Sequence, residues 1–316
     1  MKEIGGYLEL EQLVNHTYYP DLIAVNNARN ALVYLCRVHG IKKIYLPYFL
    51  CESVELACRE EGISVDFYHI DAEFRPVFQK QLGKEEWLYI VNYYGQLSEE
   101  DVRAYKCMFG NIILDNVQAF FQKPLDGVDT LYSCRKFFGV PDGGYLSSST
   151  ALRLELPEDK SKDRMKHLLG RFEDGVANTY YADFKANDNA FKNTELRSMS
   201  ALTHNILGAV DYDRVIRVRN ENYRILHDAL GKYNKLRLNC PNGPYAYPFY
   251  CEDGMKLKKA LAEQKIYVAT LWPNVLSMDG SLEKEYAENI LPLPCDQRYG
   301  VTEMKYICAM IDRYRD

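Results

Sequence analysis

The sequence predicts an α/β fold: a large domain built on a mostly parallel sheet flanked by helices, then a small C-terminal α/β domain. Three observations carry this. Strand-like and helix-like segments alternate over roughly 120 residues from Asn27 onward, the signature of repeated β-α-β crossovers. One strand-like run, Trp87-Leu88-Tyr89-Ile90-Val91, is continuously apolar, as expected of a strand covered on both faces. After about residue 150 the alternation lapses and resumes in shorter units, so the large domain is expected over residues 1–208 and the small one over 209–316.

Each element has its own local reason. Residues 1–25 form a leading segment without identifiable chemistry. Asn27 can cap a helix in which Ala28, Ala31, Leu32, Leu35 and Val38 recur at helical spacing, and Gly40 ends it. Lys43–Leu46 reads as a strand ending at Pro47. A helix over 52–61 closes at Gly62, and Val65–Tyr68 is the next strand. The Trp87–Val91 strand runs into the loop Asn92-Tyr93-Tyr94-Gly95-Gln96, and Ser98 opens a helix that Gly110 ends. Ile112-Ile113-Leu114 is a strand that delivers Asp115, and a second strand-like run delivers Ser133. Residues 151–200 are charged and Asn-rich, with irregular connections and one or two helices expected. Beyond them come a long helix over Val210–Leu230, strands at Tyr245–Tyr250 and Ile266–Ala269, and helices at Met255–Gln264 and Val301–Ile311. Thr302 is the expected cap of the last helix, with Met304, Ile307, Cys308 and Ile311 on its apolar face.

Composition narrows the function classes. The chain has 316 residues and a net charge of -5, which argues against nucleic acid or an anionic membrane as the main partner. No apolar run approaches the roughly 20 residues that span a bilayer. Acids stand near the N-terminus where a secretory signal would be apolar, so a cytoplasmic protein is expected. The nine cysteines are scattered with no C-x-x-C pair, which predicts reduced thiols and no metal site.

The chemistry concentrates between Ile112 and Leu146. An acid (Asp115), an amide (Gln118), a hydroxyl (Ser133) and an amine (Lys136) all stand where strands hand over to loops, the place where α/β sheets bind ligands. Most lysines are solvated surface charges, and a carboxylate at a strand end often only closes a turn. Lys136, however, follows an apolar strand, precedes a Gly-rich turn and neighbours Arg135, a cation that would lower its pKa where both are partly buried. Such an amine can form a Schiff base with a carbonyl. Asp115 can pair with a protonated pyridine nitrogen and keep the ring an electron sink. The two, 21 residues apart on successive strands, are the chemical minimum for pyridoxal 5'-phosphate. The helix start at Asn27, with Ser133, is the candidate phosphate cradle, although Asn27 also reads as a plain cap.

The order of these features resembles the fold-type I pyridoxal-phosphate enzymes, and more closely the DegT-like sugar-nucleotide aminotransferases, over most of the chain. Asp115-Asn116-Val117-Gln118-Ala119 is similar to that family's Asp-x-x-Gln-(Ala/Ser) segment, and Ser133-Cys134-Arg135-Lys136 to its Ser/Lys segment. Asp142-Gly143-Gly144-Tyr145, Val91-Asn92-Tyr93-Tyr94-Gly95 and Leu291–Tyr299 resemble its Gly-Gly, Val-His-x-Tyr-Gly and closing segments. The resemblance implies that Lys136 is catalytic and that Asp115 and Gln118 contact the cofactor ring. It also implies an amino-acid donor such as glutamate, a keto-sugar nucleotide as acceptor, and a homodimer. Departures are visible. The family's Ser-Gly-Thr phosphate segment is matched here by Asn27, Ala28 and Arg29, so either the Arg29 guanidinium takes the place of the lost glycine or it makes an ordinary salt bridge. The asparagine that a partner subunit lends to the phosphate has no counterpart around Leu196–Ser200. A lyase or dehydratase on the same cofactor, or a non-catalytic scaffold of the same fold, are the alternative functions.

Overall fold

The computed structural model describes residues 6–14, 16–191 and 194–315, so part of the leading segment falls outside it. The chain begins with β1 (Ile23–Val25), α1 (Ala28–His39), β2 (Lys43–Pro47), α2 (Glu52–Glu60), β3 (Ser64–Ile70) and β4 (Pro76–Val77). It continues through β5 (Glu86–Val91), α3 (Glu99–Phe109), β6 (Ile112–Asp115), β7 (Asp129–Ser133) and β8 (Gly144–Ser147). These strands form one eight-stranded sheet in the order β1-β8-β7-β6-β5-β2-β3-β4. The inner pairs β7–β6, β6–β5, β5–β2 and β2–β3 are parallel, while β8 and β1 at one edge and β4 at the other are antiparallel.

The central strands β5 and β6 are apolar over most of their length, as strands covered on both faces are; Leu88, Tyr89, Ile90, Ile112, Ile113 and Leu114 are all buried. The expected helix caps hold in the first half of the chain. The Asn27 side chain accepts from Asn30 N, and Ser98 forms a reciprocal capping box with Asp101. Gly40 stops α1 in the left-handed conformation.

After the sheet come α4 (Lys166–Asp174), α5 (Tyr181–Ala190), α6 (Ala201–Leu207) and α7 (Tyr212–Leu230). The C-terminal part adds β9 (Tyr247–Tyr250), α8 (Gly254–Glu263), α9 (Leu282–Asn289), β10 (Ile290–Leu293) and α10 (Val301–Tyr314). Strands β9 and β10 pair antiparallel, and a separate apolar cluster joins them to α7, α8 and α10 through Tyr223, Leu226, Phe249, Leu261, Leu293 and Ile307.

Two expectations need correction. Ile266–Ala269 is not a strand. It alternates buried and exposed residues as a strand would, but neither β9 nor β10 pairs with it. The last helix is capped at Gly300, whose N–H donates to Glu303 Oε2 at 2.8 Å, and Thr302 lies inside the helix. The leading segment contains β1, which is only three residues long and pairs with a strand 120 residues later, so local pattern did not reveal it.

Candidate active site

Strand direction assembles the site. β5, β6 and β7 run parallel and end side by side, with Val91 opposite Asp115 and Asp115 opposite Leu131. β8 returns antiparallel, with Gly144 opposite Ser133, and β1 runs antiparallel to β8, with Val25 opposite Gly144. The carboxyl end of the parallel strands therefore carries the Asn92 loop, Asp115, Ser133 and the turn holding Lys136, together with Gly144 and the start of α1. The ends of β6 and β7 set Asp115 and Ser133 on neighbouring strands, and Gly144, opposite Ser133, lies against the backbone of Asn27 and Ala28. Their residue types suit a ligand at the carboxyl ends of parallel strands.

Asp115 is buried, at 3% exposure. Its Oδ1 accepts from Val117 N at 2.9 Å, a local Asx turn that aims the carboxylate, and its Oδ2 accepts from the Tyr89 hydroxyl at 2.7 Å. Burial raises the Asp115 carboxyl above its ordinary value. The charge of Lys136, the Tyr89 hydroxyl and the Val117 N–H each pull the other way without cancelling it. A carboxylate has about four lone-pair sites, so two bonds leave it able to accept from a further donor.

Gln118 Oε1 accepts from Tyr94 N at 2.8 Å. That bond pins a residue in the left-handed region, since Tyr94 has φ 55°. Among the described residues, Gln118 Nε2 is buried with no hydrogen-bond partner, and so is Asn27 Nδ2. Asn92 ties the same loop to the Asp115 turn: its Nδ2 donates to Asn116 Oδ1 at 3.0 Å and to Gln122 Oε1, and its Oδ1 accepts from Leu97 N at 2.9 Å.

Lys136 sits on the turn after β7, exposed, with Nζ over the Tyr245 ring at 5.6 Å. The following Phe137 carbonyl is clamped from the C-terminal part of the chain. Arg219, on α7 and 1% exposed, donates to it at 3.3 Å, and Gln297 Nε2 donates to it at 2.7 Å. Arg219 also bonds Pro244 O and Gln297 Oε1, both at 2.7 Å. Arg135, expected to act on Lys136, instead pairs with Asp188 at 3.4 Å and lies over the Phe191 ring.

Gly143 and Gly144 close the gap between the lysine turn and α1. A Cβ on Gly144 would lie 2.9 Å from the Asn27 carbonyl carbon and 3.0 Å from Ala28 N. Gly143 has φ +113°, and its N–H donates to Asn26 O at 2.7 Å. Gly144 thus lets the strand after the lysine turn lie directly against the start of α1. Arg29 is turned to the Phe191 carbonyl, so it forms neither of the two partnerships the sequence suggested, phosphate ligand or salt bridge, through that nitrogen. Asp142 is fully buried and accepts from Ser200 N (2.9 Å), Ser200 Oγ (2.8 Å) and the Thr203 hydroxyl, which fastens the Gly-Gly turn to α6.

No protein-family model and no curated protein matches the chain. Solved structures do. A DegT/DnrJ/EryC1/StrS aminotransferase from Brucella abortus superimposes with a TM-score of 0.63 at 18% identity, over 93% of this chain and 86% of that one. DesV from S. venezuelae gives 0.66 at 16% identity over 93% and 85%. The Bacillus subtilis protein NtdA, solved with its cofactor PMP bound, gives 0.63 at 13% identity over 93% and 73%. The chain has the fold of the DegT-like aminotransferases.

Tyr89, Tyr245, Arg219 and Gln297 escaped sequence reasoning. Only Tyr89 left a signal: a phenol in a strand buried on both faces must find an acceptor. Among the described residues no cluster of His, Cys, Asp and Glu is arranged to hold a metal, and no helix is long and apolar enough to cross a membrane.

Proposed function

We propose that this protein is a pyridoxal-phosphate-dependent aminotransferase that moves an amino group from an amino acid, glutamate by resemblance, to a keto-sugar nucleotide. The observation that carries this reading is a buried carboxylate, Asp115, at the end of β6, beside the strand β7 that leads into the Lys136 turn; the charge of Lys136 pulls the Asp115 carboxyl down against its burial. The donor set fits the cofactor. Asp115 would accept from the ring nitrogen, and the unpartnered Gln118 Nε2 would donate near the ring hydroxyl. Ser133, Asn27 Nδ2 and the free N–H groups at the start of α1, Ala28 and Arg29 among them, would face the phosphate. When bound, pyridoxal phosphate supplies an electron sink for bonds next to an amine nitrogen. Lys136 Nζ is the base and acid that moves the proton in each half of the transfer. Asp115 holds a proton on the ring nitrogen by staying ionised, and Gln118 orients the ring.

The names of the structural neighbours, aminotransferases among them, support the reaction class. Apolar side chains exposed on α4 and α5, with Phe172 at 89%, Tyr181 at 57% and Leu169 at 55%, support burial against a second copy in a homodimer. The cysteines, none of them paired among the described residues, support a reducing, cytoplasmic setting.

The test is an amino-transfer assay with glutamate and a panel of nucleotide-linked keto-sugars. Wild-type protein should form the amino sugar, and Lys136→Ala should lower turnover by more than about 100-fold. Elimination of water or another group from the sugar, with no amine transferred, would replace transfer by a lyase reaction. Full transfer by Lys136→Ala would remove the assignment.

A further inference from the structure

We propose that Tyr89 is a positioning residue for the cofactor ring: its hydroxyl holds Asp115 in the orientation and the ionised state in which the carboxylate pairs with the ring nitrogen. This rests on the cofactor reading above and adds to it a residue on the neighbouring strand. The register makes the contact. Val91 lies opposite Asp115 in the parallel β5–β6 pair, so Tyr89, two residues earlier, projects from the same face of the sheet. Tyr89 is 1% exposed and its hydroxyl donates to Asp115 Oδ2 at 2.7 Å. A phenylalanine would fill the same buried space beside Ile113, the residue opposite in the β5–β6 pair, without bringing a polar group that must be satisfied. Among the described residues the hydroxyl has one side-chain acceptor, and that acceptor is the site carboxylate.

The chemistry follows from competition for one proton. Burial favours the neutral acid at Asp115, and a neutral acid cannot stabilise a protonated ring nitrogen. Two donors, Val117 N–H and the Tyr89 hydroxyl, favour the carboxylate. The Tyr89 backbone is itself fixed, because the Tyr68 hydroxyl donates to its carbonyl at 2.6 Å. Removing the Tyr89 hydroxyl leaves a single donor, so the shared proton moves from the ring nitrogen toward Asp115.

The experiment compares wild type and Tyr89→Phe with two compounds: pyridoxal phosphate labelled with nitrogen-15 in the ring, and 1-deazapyridoxal phosphate, in which carbon replaces that nitrogen. The nitrogen-15 shift of the bound ring should report a protonated nitrogen in wild type and a less protonated one in Tyr89→Phe. Affinity for pyridoxal phosphate should fall about tenfold, as expected for one lost bond to a charged group. Affinity for the deaza compound should not fall. A purely structural tyrosine would weaken both compounds equally and leave the nitrogen shift unmoved, and that result overturns the proposal. Where Tyr89→Phe does not fold, a fluorinated tyrosine at position 89 strengthens the donor and should move the ring nitrogen further toward protonation; no change there also overturns it. Failure of wild type to bind pyridoxal phosphate would instead bring down the cofactor reading itself, whereas normal wild-type binding with an unaffected Tyr89→Phe would bring down the role of Tyr89 alone.

Discussion

Gly144 shows how tightly the site is set at the residue scale. A methyl group there would meet the backbone of Asn27 and the Tyr132 carbonyl, each at 2.9 Å. Neither is a side chain that can swing away. Gly144→Ala should therefore cost about 1–3 kcal/mol by overpacking and push the start of α1 off the lysine turn. Thermal unfolding reads the first effect and pyridoxal phosphate affinity the second. Asp129 governs a different property. Burial alone would raise its carboxyl, but hydrogen bonds from His39 (2.9 Å), Ser149 N (2.9 Å) and Ser149 Oγ (2.7 Å) hold it below the ordinary carboxylate value. A depressed folded-state value means the stabilisation is complete above the unfolded value of about 3.9 and is lost as pH falls through the folded one. Urea midpoints measured from pH 7 down to pH 3 should fall steeply at the acid end in wild type and less steeply in Asp129→Asn. At this scale Asp115, Gln118 and Lys136 stand out in the sequence because they follow strand-like runs in a fixed order. Tyr89 does not, because a tyrosine inside an apolar run looks like filling until its hydroxyl partner is known.

Among the elements, α7 links the two parts of the chain. Its Arg219 is buried without a carboxylate partner in hydrogen-bond contact and spends its donors on Phe137 O, Pro244 O and Gln297. Arg219→Met keeps the length but leaves buried carbonyls short of a donor, a cost of about 1–3 kcal/mol per unsatisfied group. It should also loosen the turn that carries Lys136, so affinity for the cofactor should drop with stability. Arg217, exposed on the same helix, is the control: Arg217→Met should change stability by less than about 0.5 kcal/mol. Unchanged unfolding of Arg219→Met in urea would contradict the clamp. Long, periodic elements such as α1, α3 and α7 could be read from sequence, because period and caps are local. Short strands could not. β8 begins inside a Gly-rich turn, and β10 contains Pro292, so each depends on a distant partner to become a strand.

In the whole molecule, the C-terminal part does more than cover its own sheet. Trp272, Val275, Tyr286 and Ile290 join the core of the large sheet, with the Phe49 and Trp272 rings 4.2 Å apart. Gln297 and Arg219 reach the lysine turn from the same side. The site is therefore held from both parts of the chain, an arrangement that the proposed boundary at residues 208 and 209 does not by itself convey. A homodimer would also bury the exposed faces of α4 and α5, so light scattering should return twice the monomer mass, and Phe172→Asp should shift it toward the monomer.

The central claim is that Lys136 carries the cofactor. Purified protein mixed with pyridoxal phosphate should turn yellow, and borohydride should then fix the pyridoxyl group on a single peptide, at Lys136. A colourless protein, or a label spread over surface lysines and unchanged in Lys136→Ala, would contradict it.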